Sequence, residues 1–256
     1  NGLTEVTNEY NHLHLLLTST VKSADKTELF KKTTYHYPGE STDGNGNTTF
    51  PPTNDLDPNY QQATTTLSTF HYEGETRQEK VVRSYDPNTS QLLSLSEYET
   101  VDGTLKLVRK EVTTYDDRFN VPTLLTLYDY KPQGTPCDTP EVIQTSNTLS
   151  DDGRYILSST RKAKVGDTFE AKLVNTVHYD GAGRLSFYER EWVASNQPGI
   201  PNVTSTFEFD YDSTSRSLTR TQKGGNGDVL SVEIYDTATG LLASQSNALN
   251  ATTTYQ

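Results

Sequence analysis

Methionine is absent from the 256 residues, Cys137 is the single cysteine and Trp192 is the single tryptophan. A single cysteine excludes any internal disulfide, so the cysteine content does not reveal the redox compartment. Long apolar runs are also missing, since no segment approaches the roughly 20 apolar residues that a membrane-spanning helix needs. We therefore expect no membrane span. Because the chain opens at Asn1 and contains no Met, we expect a segment of a longer polypeptide.

Basic residues are in deficit, since 34 Asp and Glu against 22 Lys and Arg give a formal net charge of -12. Binding to nucleic acid depends on clustered Lys and Arg that neutralise phosphates, so we expect no nucleic-acid partner. Strong helix formers are scarce, whereas 40 Thr and 16 Tyr favour strands. Only 32% of the residues are hydrophobic, and tyrosine rings supply much of the apolar area. The composition predicts a polar all-β protein.

Strand and hairpin patterns recur along the chain. Residues 203–211 alternate apolar and polar side chains with a period of two, which is typical of a strand with one buried face. The pair Asp102-Gly103 lies between two alternating runs and predicts a type I′ hairpin. Further hairpin tips are predicted at 165–167 and 224–228. We interpret 6–21 as one buried strand, and 37–58 and 131–140 as loops, the first of them long enough to be an insertion.

The dipeptide Tyr-Asp occurs six times, and five of the six copies continue in the same way. After Asp comes a short turn with Gly, Asn or another small residue, and then a Leu or Val that restarts a strand. Asp212 leads in this way to Arg216 and Leu218, whereas Tyr128-Asp129 is the exception. The predicted turn residues are Tyr85, Asp86, Ser90, Leu92, Tyr115, Asp116, Asn120, Tyr179, Asp180, Gly183, Arg184, Leu185, Tyr211, Asp212, Tyr235, Asp236, Gly240 and Leu242.

Each part of this unit has a physical role. A strand ends in Tyr, and the following Asp accepts hydrogen bonds from the turn backbone. Three or four residues later, Gly or Asn supplies a positive φ at low steric cost. Arg184 is placed to pair with a carboxylate. The wide gap between Tyr115 and Tyr179 predicts a degenerate copy near 152–155.

The run Tyr-Asp-Gly-Ala-Gly-Arg-Leu at 179–185 resembles the Tyr-Asp repeat of RHS proteins. This group includes bacterial RHS toxins, the B and C cocoon components of insecticidal toxin complexes, and the animal teneurins. Residues 235–242 and 85–92 resemble a second common variant, with Gly240 or Ser90 at the turn. The resemblance covers the chain from Tyr85 onward, and 35–37 and 71–72 look like eroded copies.

The resemblance implies a long antiparallel sheet of β-hairpins that forms part of a hollow shell, with 1–256 as a single section of it. In such relatives the shell encloses a toxic polypeptide, so the implied partners are an enclosed toxin and other parts of the shell. It also implies a secreted protein. The family's core motif, which includes a self-cleaving aspartyl site in bacterial members, has no counterpart here. We therefore expect no enzymatic activity, and a hidden aspartyl protease is the weakest alternative.

No catalytic residue, cofactor or metal site is predicted. His12 and His14 would share one face of a strand and could contact a metal, but two ligands are too few. Residues 43–47 resemble the start of a calcium loop, but Thr48 stands where that loop has Gly and Asn54 stands where it has Glu. Cys137 has no neighbour that would activate it. The main alternative function is an extracellular binding module, in which Trp192, Tyr188 and Phe187 would form an aromatic platform for a glycan or a cell-surface protein.

Overall fold

The computed structural model describes residues 4–23, 28–42, 48–50, 57–131, 134–193, 202–249 and 251–255. Within these ranges the chain forms nineteen strands and no helix, so no helix there could cross a membrane. Seventeen of the strands belong to a long antiparallel sheet, and the other two form a separate antiparallel pair. This confirms the predicted all-β class and its arrangement as a long series of hairpins.

The strands follow one another closely along the chain. The first nine are β1 (Thr4–Tyr10), β2 (Leu16–Ser23), β3 (Leu29–His36), β4 (Ser41–Thr42), β5 (Thr48–Thr49), β6 (Thr65–Tyr72), β7 (Glu75–Tyr85), β8 (Leu92–Val101) and β9 (Thr104–Tyr115). The remaining ten are β10 (Pro122–Asp129), β11 (Glu141–Leu149), β12 (Ile156–Val165), β13 (Thr168–Tyr179), β14 (Leu185–Trp192), β15 (Val203–Asp212), β16 (Ser217–Gly224), β17 (Val229–Asp236), β18 (Leu242–Asn247) and β19 (Thr252–Thr254).

Contacts within the chain define two compact units. The first comprises Asn1–Thr114 and Leu125–Val142, and the second comprises Tyr115–Leu124 and Ile143–Gln256, so that β9, β10 and β11 each contribute residues to both. In the first unit β1, β2, β3, β6, β7, β8 and β9 pair in this order, each antiparallel to the next. In the second unit β11 to β19 pair in chain order. Each unit is therefore an antiparallel meander.

Both units bury little of their side-chain surface. Among the described residues, the buried apolar side chains are Tyr37, Val108 and Val142. Every residue of β8 is partly exposed, and most strands show the same lack of alternation. A strand in a β-sandwich would instead alternate buried and exposed side chains, because one of its faces packs against a second sheet. Each meander is therefore a single layer with two partly exposed faces.

Short hairpin tips join the strands at one end of each meander. At Asp102-Gly103 the φ angles are +50° and +75°, which is the pattern of a type I′ turn as predicted. Glu73-Gly74 has the same geometry, with φ of +50° and +83°, although its sequence is a weaker hairpin signal. Gly166 and Gly227 supply the positive φ at the two further predicted tips.

The predicted loop at 37–58 contains the short hairpin of β4 and β5, while 43–47 and 51–56 lie outside the described residues. Its first residue is anchored, since the Tyr37 hydroxyl donates a hydrogen bond to the Leu16 carbonyl over 2.9 Å. Burial raises the pKa of this tyrosine. Beyond the loop, Asn59 Nδ2 donates to the Asp86 carbonyl over 3.0 Å. The connection from β3 to β6 is thus attached to the start of β2 on one side and to the turn at Asp86 on the other.

The Asp102-Gly103 tip allows a test of backbone strain without steric interference. A Cβ added at Gly103 would meet nothing within 4 Å, so Gly103→Ala changes only the cost of the positive φ. We expect a loss of about 1–2 kcal/mol in the free energy of unfolding, measured by urea denaturation. Gly103→Asn is the control and should lose less, because Asn adopts this conformation more readily. Equal losses for the two variants would contradict the turn assignment.

Candidate functional site

The residues singled out by the sequence lie at one edge of each meander. Because the strands alternate in direction, every second turn falls at the same edge, opposite the short tips. We call these turns corners and name each by its first residue, whose N–H and C=O close the turn. The described corners begin at Asn11, Asp86, Asp116, Ser150, Asp180, Asp212 and Asp236. Asn11 and Asp86 belong to the first unit, and the others to the second.

The corner at Asp180 shows how the turn is built. The Asp180 N–H donates to the Arg184 carbonyl over 2.8 Å, and the Gly183 N–H donates back to the Asp180 carbonyl over 2.9 Å. The side chain completes the turn, since Asp180 Oδ1 accepts from the N–H groups of Ala182 and Arg184 at 2.9 and 2.8 Å. Its other oxygen pairs with Arg184 Nε at 2.7 Å. One carboxylate thus satisfies three donors.

A longer version of the corner contains one more residue. At Asp86, Asp116 and Asp236 the first N–H donates to the carbonyl five residues later, and the N–H four residues later donates back. In each of them Oδ1 accepts from the N–H groups two and three residues on. Asp212 Oδ1 accepts in the same way from Thr214 and Ser215. Together with Asn11, six corners therefore have a first residue whose side-chain oxygen accepts hydrogen bonds from the turn backbone.

One residue of every corner adopts the left-handed conformation. The predicted residues Ser90, Asn120, Gly183 and Gly240 have φ of +61°, +57°, +77° and +72°. In the Asp212 corner this position is held by Arg216, with φ of +53°. A long side chain is uncommon at a positive φ. It is held there because the two strands on either side fix both ends of the turn.

The structure corrects the interpretation of 6–21 as a single strand. Residues 11–15 form a corner, in which Asn11 Oδ1 accepts from the N–H groups of Leu13 and Leu15, both at 2.9 Å. His14 is its left-handed residue, with φ of +60°. His12 and His14 therefore lie in a turn and do not share a strand face. The signal that could have revealed this corner is Tyr10-Asn11, because an Asn side chain offers the same acceptor oxygen as Asp.

The degenerate copy expected near 152–155 is a corner whose first residue is Ser150. Its N–H donates to the Tyr155 carbonyl over 2.9 Å, and Gly153 donates back to the Ser150 carbonyl over 2.9 Å. Leu149 takes the place of the tyrosine. The acidic side chain has moved two residues along, where Asp152 Oδ1 accepts from the Ser150 hydroxyl and the Arg154 N–H. The motif is lost here, although the turn is kept.

Hydrogen bonds lower the pKa of each corner aspartate. Backbone N–H groups are the main cause at Asp86, Asp180 and Asp236, since they stabilise the ionised carboxylate. At Asp116 the main cause is the Arg118 guanidinium, and at Asp212 it is the Ser215 hydroxyl. The charged form of these side chains is therefore part of the folded turn.

A β-bulge accompanies most corners. The residue before the corner pairs with the residue after it, as in Tyr85 with Leu92, Tyr179 with Leu185 and Tyr235 with Leu242. At each of these pairs the register shifts, and the same shift occurs at Tyr10 and Leu149. A bulge redirects side chains and increases the local twist. Tyr211 pairs with Leu218 without a shift, so the Asp212 corner has no bulge.

Consecutive corners of the second unit stack on one another through aromatic side chains. The Phe119 ring covers Gly153, and the Tyr155 ring covers Gly183, so that no side chain could be added at either glycine without displacing a ring. Tyr155 also stacks on Tyr179, with ring centroids 4.3 Å apart. Between the next two corners, the Arg184 guanidinium lies 4.4 Å from the centre of the Tyr211 ring. These contacts connect corners that are far apart in sequence.

A cleft opens between the corners at Asp212 and Asp236. Its volume is about 560 Å³, and its walls include Arg184, Tyr211, Ser217, Tyr235 and Gly240. The two corners still touch, since the Thr237 N–H and hydroxyl both donate to the Arg216 carbonyl at 2.8 and 2.9 Å. These hydrogen bonds hold the two corners that border the cleft in place relative to each other.

The other candidate residues are not brought together into a site. Among the described residues, no group of three His, Cys, Asp or Glu side chains is placed to hold a metal ion. Cys137 is exposed, and its thiol contacts the carbonyls of Tyr130 and Thr139. At the exceptional Tyr128-Asp129, Oδ1 accepts from the Lys131 N–H as in a corner, but the chain continues into a longer connection.

The proposed aromatic platform is only partly assembled. Tyr188 and Trp192 lie on the same face of β14, with the Arg190 guanidinium between them at 5.6 and 5.5 Å from the two rings. Phe187 lies on the opposite face, where it contacts His178. Trp192 is 45% exposed. Two aromatic rings and one cation are therefore available on this face.

Comparison with known proteins adds no assignment. Neither a protein-family model nor a curated protein matches the sequence of this chain.

Two glycines of the Asp180 corner provide a matched test of the turn. Gly183→Val forces a β-branched residue into a positive φ and against the Tyr155 ring, whereas a Cβ at Gly181 would meet nothing within 4 Å. We expect Gly183→Val to lower the free energy of unfolding by about 2–4 kcal/mol, from backbone strain and displaced packing. Gly181→Ala should change it by less than about 0.5 kcal/mol. Similar urea midpoints for Gly183→Val and wild type would refute the corner geometry.

The corner aspartates predict a loss of stability in acid. An aspartate whose pKa is lower in the folded protein stabilises it above the unfolded value of about 3.9 and loses this effect as the pH falls through the folded value. The double variant Asp212→Asn/Asp236→Asn keeps the acceptor oxygens without the titration. We expect its urea midpoint to fall less than that of wild type when the pH is lowered below about 4.

The control for this experiment is the double variant Asp167→Asn/Asp210→Asn. It changes the net charge equally, and both of its sites lie outside the corners. Its urea midpoint should decline with pH as that of wild type does. If the corner and control variants follow the same curve, the corner carboxylates are not responsible for acid sensitivity.

Proposed function

We propose that this chain is a section of the wall of an RHS-type shell that encloses a toxin polypeptide in a secreted toxin or toxin complex. The proposal rests mainly on one observation, the recurrence of the same hydrogen-bonded corner along one edge of each meander. Such a unit can be repeated without limit, because each hairpin contacts only its neighbours. In this role the chain acts as a scaffold and performs no chemistry.

The burial of side chains supports a wall. Each meander is a single layer whose two faces are both partly exposed, as in β8 and β16. A globular domain of this size would place one face of each sheet in a dry core. A wall needs the opposite, since one face meets solvent and the other meets the interior space. Among the described residues, only a small number of apolar side chains, such as Val108, are buried.

The composition supports the carriage of another polypeptide without tight binding. A polar inner face offers little apolar area, so an unfolded or partly folded cargo would gain little hydrophobic stabilisation from contact with it. The formal net charge of -12 would repel acidic cargo and favour basic cargo at distances within the Debye length. We therefore propose a basic or neutral polypeptide as the enclosed partner and further sections of the same shell as the other partners.

A second candidate function has its own support. Exposed Trp192 forms a row on β14 with the half-buried Arg190 and Tyr188, and aromatic rings of this kind bind the apolar faces of sugars or the side chains of a protein partner. This arrangement favours an extracellular binding module for a glycan or a cell-surface protein. The binding module needs this row of side chains for its function, whereas a section of a shell wall does not.

The shell proposal can be tested on the polypeptide that carries this segment. Electron cryomicroscopy should show a curved wall of hairpins around an enclosed density, and limited proteolysis should spare a basic or neutral fragment inside it. A two-sheet sandwich without an interior space, or complete digestion of every other part of the polypeptide, would refute the proposal.

The binding-module alternative predicts a different result. A glycan array probed with this chain should show saturable binding that Trp192→Ala abolishes and Trp192→Phe reduces. The wall section predicts the same background for all three proteins. Saturable binding that is unaffected by Trp192→Ala would exclude the row on β14 as the binding site.

A further inference from the structure

The cleft beside Tyr235 is an empty space between two corners. At two other corners of the second unit, the corresponding space is filled by a side chain. The relevant side chain belongs to what we call the closing residue, the residue whose carbonyl accepts from the first N–H of a corner. The closing residue is Tyr155 in the Ser150 corner and Arg184 in the Asp180 corner. In the Asp212 corner the closing residue is Ser217, which pairs with Asp212.

The first two closing residues lie on the tyrosine that opens the next corner. Tyr155 stacks on Tyr179 at 4.3 Å and covers Gly183, while Arg184 stacks on Tyr211 at 4.4 Å. In both cases a flat side chain from one corner occupies the space above the next. This space is part of the way in which neighbouring corners pack.

Ser217 is too short to make the third contact. Its hydroxyl lies 2.7 Å from that of Ser215, within its own corner. Among the described residues, no atom lies within 4 Å of the position where a Cβ of Gly240 would stand, whereas rings cover Gly153 and Gly183. The space above Tyr235 and Gly240 is therefore the cleft of about 560 Å³.

The floor of the cleft is held in place from below. The Tyr235 hydroxyl donates to Glu233 Oε2 over 2.5 Å, and the same oxygen pairs with Arg220 at 2.5 Å. Glu233 is buried, so this carboxylate has little freedom to move. The Tyr235 ring is thus oriented before any ligand arrives, which reduces the entropic cost of binding.

We infer that this cleft binds an aromatic side chain of a second polypeptide, with tyrosine preferred. The two filled equivalents define the occupant, because the chain itself places a tyrosine ring or a guanidinium plane in the corresponding space. Ser213, Ser217 and Thr237 line the cleft, so part of its wall is polar and suits the hydroxyl end of a tyrosine better than a purely apolar side chain. This inference is independent of the proposed shell and of its cargo.

N-acetyl-L-tyrosinamide is a suitable probe, and the amide resonances of Thr237 and Gly240 in the ¹⁵N-labelled chain provide the readout. We expect saturable shifts with a Kd on the order of millimolar, which is typical of a single small fragment. N-acetyl-L-leucinamide should bind at least about fivefold more weakly, because it cannot stack on Tyr235. Absence of a saturable shift with the tyrosine probe would overturn the inference. Stronger shifts with methyl β-D-glucopyranoside would also overturn it, since they would identify a sugar site.

Filling the cleft from within should abolish binding. In Ser217→Tyr the new ring would take the place that Tyr155 takes one corner earlier, and Tm should rise by about 2–4 °C. Ser217→Leu is a second, smaller filler in case the tyrosine variant folds poorly. Ser217→Thr, which remains too short to cover Tyr235, and Ser84→Tyr, which adds a ring at an exposed position of β7, should both bind the probe as wild type does. Unchanged binding in both Ser217→Tyr and Ser217→Leu would overturn the inference.

Discussion

A side-chain oxygen that accepts two or three hydrogen bonds from the turn after it is the interaction on which this structure depends. At Asp180, Asp236 and Asn11 the turn backbone would otherwise expose N–H groups without partners at the edge of the sheet. The N–H groups that this oxygen binds differ between the shorter and the longer corner, so the hydrogen-bond pattern fixes the number of residues in the turn and the position of its left-handed residue. This in turn sets the register of the next strand, since a slip of one residue would reverse every side chain.

The corners also compensate for the lack of a buried core. Single-layer sheets gain little from hydrophobic burial, and the described strands rely on cross-strand pairs such as Thr33 with Ser68 and Ser84 with Ser94. Aromatic contacts occur across strands, as in Tyr188 with Phe207, and also where corners meet, as in the stack of Tyr155 on Tyr179. Polar turns and aromatic stacking therefore act at the same edge of the meander.

This arrangement links the architecture to the proposed functions. A meander that is held together along its edge leaves both of its faces accessible, which suits a wall section and equally leaves Trp192 exposed for contact with a partner. Where the stacking of corners is interrupted, at Ser217, the same edge offers a cleft with an oriented tyrosine at its floor. Structural repetition thus creates a binding site at the point where one copy of the repeat departs from the others.

The sequence by itself determined the all-β class, the hairpin tip at Asp102-Gly103 and the residues of the Tyr-Asp turns, because each depends on local chemistry that a short segment carries. It did not reveal the corner at Asn11 and located the one at Ser150 only approximately, because there the Tyr-Asp signal is altered while the turn persists between fixed strands. Only the tertiary structure decided that Tyr155 covers Gly183 and that Ser217 leaves Tyr235 open, because these contacts join residues of different corners. The relative positions of these side chains depend on the strand register and on the β-bulges. Both are set by the whole hairpin, so no short segment of the sequence encodes them.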